Sequence, residues 1–273
     1  MEEDKKYKVV VLNAKGGVGK STVAMQVIVP YLYMKNKKEP IDYYEFDDEN
    51  EDSKSFINSK LTKSTQIKVQ DSNLRDSVTD VVLSDNFACI DVGANKTTNY
   101  FLGSLIDSGM IHAIDLIVIP LADGELDAIN AIELYYKVRE ITKEINIVFV
   151  LNRYNELRDL YTQFDIFLGD KRGFFDKKGF IENILDSDRN YVTLADSDAV
   201  KYCRSFGVTV WELATMQRDL DAQLKEALKN KKDKQTIRLL SFKRALKNDC
   251  ELFTSKNLEP IFEKFNFLLN AKK

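Results

Sequence analysis

The chain is poor in the residues that carry nucleophilic and redox chemistry: it has one histidine, one tryptophan and three cysteines in 273 residues. A Ser-His-Asp or Cys-His mechanism would have to rest on His112 alone, which lies among apolar neighbours in "GMIHAIDLIV", where a half-buried structural histidine is expected. Cys89, Cys203 and Cys250 are far apart, odd in number and outside any CxxC spacing, which argues against a disulfide framework and against a zinc site. Proline (4) and glycine (11) are scarce; neither a flexible linker nor an internal repeat is read. No apolar run approaches the roughly 20 residues that a membrane span needs. The opening "MEEDKKYKVVVLN" has no apolar stretch of signal-peptide length, so a soluble, cytoplasmic chain is expected. The net charge of -3 and pI near 5.5 exclude a surface coated with positive charge and leave any nucleic-acid contact to a local patch.

What the chain does have is a composition fit to bury a core, with 44% hydrophobic and 30% charged residues. Apolar runs of strand length recur at "YKVVVLN" (7–13), "IDYYEF" (41–46), "FACIDV" (87–92), "IDLIVIPL" (114–121) and "INIVFVLN" (145–152). Lacking strict alternation, they suit strands buried on both faces. Helical spacing lies between them, at 20–35, 73–84, 125–142 and 155–168. Strand alternating with helix predicts an α/β fold with a doubly wound, mostly parallel sheet and helices on both faces. From about residue 211 onward only helices rich in Lys and Leu are read, which divides the chain into a unit over 1–214 and a helical C-terminal extension over 215–273 that packs on it.

Residues 13–22, "NAKGGVGKST", follow the first strand and open the first helix. This is the strand, loop and helix setting of a phosphate-binding P-loop. Gly16, Gly17, Val18 and Gly19 let successive backbone N–H groups converge on a phosphate at a helix N-terminus. Lys20 reaches the β and γ phosphates, Ser21 offers a ligand to Mg²⁺, and Thr22 follows in the first turn.

The loop also carries a second lysine, Lys15, and Ala14 where the plain motif has its first glycine. K-G-G-V-G-K-S-T resembles the deviant Walker A motif of the ParA/MinD family of ATPases. That resemblance implies ATP and Mg²⁺ as cofactors and a homodimer in the ATP state, with Lys15 reaching the phosphates held by the other subunit. It extends over about residues 7–214. "YYEFDDEN" is similar to the family's strand ending in D-x-D, so that Asp47 matches the aspartate that orients the attacking water, with Glu45 at the first position. "FACIDVGAN" is similar to the Walker B strand, so that Asp91 holds the Mg²⁺ water shell; Gly93 and Ala94 stand where the family usually has two prolines. "VFVLNRYNE" places Asn152 at a position that commonly contacts adenine. "DLIVIPLADGELDAIN" and "LADSDAVKYCRSFGVTVWEL" resemble the blocks that follow. By this resemblance Lys15, Lys20 and Asp47 carry a slow, partner-stimulated ATP hydrolysis.

Such an ATPase holds a cargo. In "KEALKNKKDKQTIRLLSFKRALK" (225–247), Lys225, Lys229, Lys231, Lys232, Lys234, Arg238, Lys243, Arg244 and Lys247 face only Glu226 and Asp233. The stretch is either a solvated helical face or a local field for DNA phosphates that carries no sequence information, with Lys201 and Arg204 as lesser contributors. With the resemblance it points to segregation or positioning of plasmid or chromosomal DNA, with an adaptor protein as second partner and nucleoid association. "LEPIFEKFNFLLNAKK" sets Leu258, Ile261, Phe262, Phe265, Leu268 and Leu269 on one face. Docking of that face on the protein's own body is expected rather than a membrane anchor, since Glu259 and Glu263 oppose anionic lipid. The alternatives are a MinD-like ATPase acting on a membrane or protein cargo, and a metabolic relative. Lys15 counts against a synthetase, and Cys89, inside a strand, is badly placed for a subunit-bridging cluster.

Overall fold

The computed structural model describes residues 5–48, 51–69, 74–171 and 178–270. Among them the strands are β1 (Lys8–Val11), β2 (Ile41–Phe46), β3 (Thr62–Ile67), β4 (Ala88–Val92), β5 (Leu116–Leu121), β6 (Asn146–Tyr154) and β7 (Tyr191–Ala195). They form one parallel sheet in the order β3-β2-β4-β1-β5-β6-β7. The strands that the apolar runs predict are the five interior ones. The two edge strands, β3 ("TKSTQI") and β7 ("YVTLA"), are the ones that no apolar run announces; each is paired on one side only, and β3 is largely exposed.

Because side chains alternate across a strand, the central strands feed two separate cores. Val9, Val11, Cys89, Leu116, Val118, Val148 and Val150 point to one face; Val10, Ile90, Ile117, Ile119, Ile147 and Phe149 point to the other. The second face is covered by α3 (Leu74–Val82), α4 (Lys96–Ser108), α5 (Glu125–Ile141) and two short helices, α6 (Leu160–Gln163) and α7 (Asp165–Leu168), into which the single helical segment expected at 155–168 resolves. The first face is covered by α1 (Lys20–Val23) and α2 (Val29–Lys35), then by α8 (Asp198–Ser205), α9 (Val210–Ala214), α11 (Lys234–Phe253) and α12 (Glu259–Asn270), with α10 (Leu220–Lys229) packed on α11. Between α1 and α2 the helix takes a π turn, Ala24–Ile28, just before Pro30, which has no N–H to continue the ladder.

The C-terminal helices close over the first core. Leu258, Ile261, Phe262, Phe265, Leu268 and Leu269 are all buried, and Phe265 meets Tyr31 edge-on at 5.3 Å. Asn257 Oδ1 accepts the Ala195 N–H (3.1 Å) at the sheet's other edge, and Asn146 Nδ2 donates to Leu268 O (2.6 Å). His112 departs from expectation: it is exposed in a tight 3₁₀ turn, Met110–Ala113, because a turn at the surface buries Ile111 and leaves its neighbour outside. No helix among the described residues is long and apolar enough to cross a membrane.

Candidate active site

The chain runs outward from β1 to β2 and β3, returns to β4 beside β1, then crosses to β5, so the strand order reverses around β1. In open α/β sheets the crevice at the carboxyl ends of such strands is where ligands bind. The loop after β1 lies there, held open from behind. Asn13 donates from Nδ2 to Pro120 O (2.7 Å) and accepts the Lys15 N–H on Oδ1 (2.9 Å); the Asn95 N–H bonds Ala14 O (2.8 Å). Gly17 (φ 80°) and Gly19 (φ 89°) are left-handed, a conformation that L side chains resist. A Cβ at Gly19 would also lie 2.1 Å from Asn152 Nδ2.

Lys20 is the first residue of α1. It is buried and bends back to donate from Nζ to Lys15 O (3.2 Å), so its charge lies along the loop. Burial lowers its pKa, against the pull of Asp91, Asp47 and Asp52. Asp91, at the end of β4, is 3% exposed. Tyr43 OH donates to its Oδ2 (2.8 Å), while Oδ1 is buried without a hydrogen-bond partner. Burial pushes its carboxyl up to about 6, restrained by the Ser21 and Tyr43 hydroxyls and by Lys20. A buried carboxylate oxygen left open beside a serine hydroxyl is an oxygen donor set of the kind a hard cation takes.

These groups share one cleft. Gly16, Gly17, Lys20, Ser21 and half-buried Thr22 form one side; Glu45, Asp47, Asp52, Asp91 and Gly93 face them, with Arg153 and Arg204. Val18 is buried beneath the loop. Lys15 is half-buried and is not among the residues that line the cleft; it is close enough to Asp127 to oppose the rise that burial gives that carboxyl.

The family model for ATPase MipZ matches residues 7–130, the span that carries the glycine loop, Asp47 and Asp91. The match spans a little under half of the chain and agrees with the ParA/MinD resemblance that its motifs carry. Similar solved structures include a plasmid partition protein of Borrelia burgdorferi bound to AMPPNP (14% identity, 71% of this chain and 88% of that one, TM-score 0.47). Others are a substituted Cyanothece McdA in complex with ATP (13%, 76% and 90%, TM-score 0.46) and Pyrococcus horikoshii MinD with Mg-ADP (12%, 75% and 87%, TM-score 0.45). No curated protein matches the chain in sequence.

Two departures from the ParA/MinD pattern have local reasons. Glu45 is buried and does not stand open: Oε1 accepts the Asp52 N–H (2.6 Å), and Oε2 accepts Ser53 Oγ (2.6 Å) and the Ser53 N–H (3.2 Å). The longer carboxylate thus caps the 3₁₀ turn Asp52–Phe56. At Gly93, the N–H bonds Phe46 O (2.7 Å), which a proline cannot do, and a Cβ would come within 3.0 Å of the Asp47 carboxyl. Asp47 is therefore seated against Gly93.

Asn152 is buried behind the loop with Nδ2 donated to Val18 O (2.8 Å). Arg153 follows in a left-handed conformation (φ 60°) at a β6 bulge that turns it into the cleft. Of the ParA/MinD candidates, the cleft gathers Lys20, Ser21, Asp47 and Asp91, while Lys15 meets it through its carbonyl, which accepts from Lys20 Nζ. Lys229, Lys231, Lys232, Lys234, Arg238, Lys243, Arg244 and Lys247 lie on α10, α11 and the turn between them. Arg244 pairs with Asp221, Lys247 with Glu251, and Lys243 stands over the Phe206 ring (5.1 Å). Lys201 pairs with Asp198 (3.0 Å). Asp52, Arg153 and Arg204 are cleft residues that no motif marked; Arg204, read as a lesser part of the basic patch, faces the cleft instead.

Proposed function

We propose that the chain is a Mg²⁺- and ATP-dependent dimerising ATPase of the ParA type that segregates or positions DNA, with residues 1–214 as the ATPase unit and 215–273 as its helical extension. One observation carries the reading: buried Asp91, with an oxygen left open, shares a cleft with Lys20, Ser21 and the glycine loop.

In this reading the N–H groups of residues 16–22 and Lys20 hold the phosphates. Asn152 braces the loop from behind, on the side where adenine is expected. Ser21 and Asp91 would hold Mg²⁺, directly or through water, and the cation supplies neutralisation of phosphate charge when bound. Asp47, fixed against Gly93, orients the attacking water. Lys15 reaches the phosphates of a second copy. No protein nucleophile is called for, because phosphoryl transfer is catalysed mainly by positioning and charge.

The cargo reading rests on α10 and α11. Lys229, Lys231, Lys232, Lys234 and Arg238 are exposed, and among the described residues none is in an ion pair. Dimerisation doubles this field, so DNA affinity follows nucleotide state, and an adaptor protein that stimulates hydrolysis would time release. Burial of the apolar α12 face favours DNA over a membrane as cargo.

The test is binding to a random-sequence duplex with no nucleotide, with ADP and with a non-hydrolysable ATP analogue, across a salt series, with dimerisation followed in parallel. Expected is binding with the analogue alone, falling roughly as the 0.9Z power of salt for Z phosphate contacts. Dimers that ignore DNA would move the cargo to a protein or membrane. Lys20→Ala is expected to lose nucleotide binding, and parent-like affinity in that variant would remove the phosphate site.

A further inference from the structure

Arg204 does not belong to the phosphate loop, the strand ends or the basic helices. It lies on α8 and points into the cleft, where Nη2 donates to Asp52 Oδ1 (2.5 Å) and to Ser55 Oγ (3.3 Å). Asp52 in turn is near enough to Lys20 to act on its charge. The ion pair therefore sits beside the place where the proposed site holds phosphate, and it is a loose one. The side chains are 41% and 34% exposed, in the range where an ion pair contributes little.

The segment that Arg204 touches does not need it. Glu45 holds the Asp52 and Ser53 N–H groups. Asn58 bonds the Gly207 carbonyl from its N–H (3.0 Å) and the Phe206 carbonyl from Nδ2 (2.9 Å). The Lys60 N–H bonds Glu212 Oε1 (2.8 Å). Arg204 can leave Asp52 while residues 52–60 stay anchored to β2, α8 and α9. A planar guanidinium beside a phosphate loop, held by an exchangeable carboxylate, is suited to a tetrahedral dianion, to which it can donate two parallel hydrogen bonds.

Resting on the nucleotide site proposed above, we infer that Arg204 reads the terminal phosphate of a bound nucleoside triphosphate, giving up Asp52 for it. A diphosphate offers no such group, so Arg204 then stays with Asp52. Asp52 acts as the competitor that sets how strongly the two nucleotides are told apart.

The experiment titrates the full-length chain, with Mg²⁺, against fluorescent derivatives of a slowly hydrolysed ATP analogue and of ADP. Arg204→Gln is expected to weaken the triphosphate analogue about tenfold, the order of one lost charge-assisted contact, and to leave ADP unchanged. Arg204→Lys keeps the charge without the fork and should recover part of the loss. Asp52→Asn is expected to strengthen the triphosphate analogue about two- to threefold by freeing the guanidinium, the opposite sign to Arg204→Gln. A purely structural ion pair would make the two variants behave alike and would move both nucleotides together; that result overturns the inference. If the parent chain bound neither nucleotide, or bound them undiminished in Lys20→Ala, the nucleotide site itself would fall, and this inference with it.

Discussion

Asp91 is the residue whose environment makes the sharpest demand on the free protein, and Asp91→Asn isolates it. Its carboxyl rises from 3.8 to about 6 on folding, because burial opposes charge more than the Ser21 and Tyr43 hydroxyls and Lys20 favour it. A raised folded pKa means that the folded chain holds the proton more tightly than the unfolded one. Between those two values stability therefore falls as pH rises. At about 1.4 kcal/mol per pH unit, the ionised carboxylate costs the nucleotide-free protein up to about 3 kcal/mol at pH 7, relative to pH values below its unfolded pKa. Asparagine keeps the acceptor for Tyr43 and removes the charge. Asp91→Asn is thus expected to be more stable than the parent at pH 7 by up to that amount, less whatever is lost because buried Lys20 no longer has Asp91 opposite. The assay is urea unfolding in nucleotide-free buffer from pH 3.5 to 7.5. Parent and variant should converge at the acid end and separate steadily through pH 6. Curves that stay parallel across the range, or a variant less stable at pH 7, would refute the account of this carboxylate as strained by burial and open to a cation.

Two further substitutions probe the frame around the site. Gly93→Pro, which restores the residue usual in the family, should destabilise by about 1–3 kcal/mol through the orphaned Phe46 carbonyl alone, and should displace the Asp47 carboxyl as well; a parent-like denaturation midpoint would show that the Gly93 hydrogen bond is dispensable. Phe265→Ala empties the contact between α12 and Tyr31 and should cost about 3–5 kcal/mol in urea unfolding. A loss under about 1 kcal/mol would mean that the C-terminal helix is held loosely.

Much of this architecture was legible because it is written locally. Apolar runs such as "IDLIVIPL" and "INIVFVLN" mark strands buried on both faces wherever they occur, and the glycine loop needs only its own backbone and the helix behind it. β3 was not legible: an edge strand with exposed side chains carries no apolar signal, and its pairing with β2 is a long-range fact. His112 misled for a related reason, since its apolar neighbours say nothing about which way a surface turn faces.

The chain order alone determined the family resemblance, the parallel sheet and the positions of Lys15, Lys20, Asp47 and Asp91, because each depends on residues adjacent in sequence or on a run of fixed period. Only the tertiary structure decided that Asp91 is buried with one oxygen open, that Glu45 caps the turn at Asp52, and that Arg204, 152 residues away from Asp52, closes the same cleft. Burial, competing hydrogen bonds and the meeting of distant charges depend on which surfaces the folded chain brings together. No local pattern encodes that outcome.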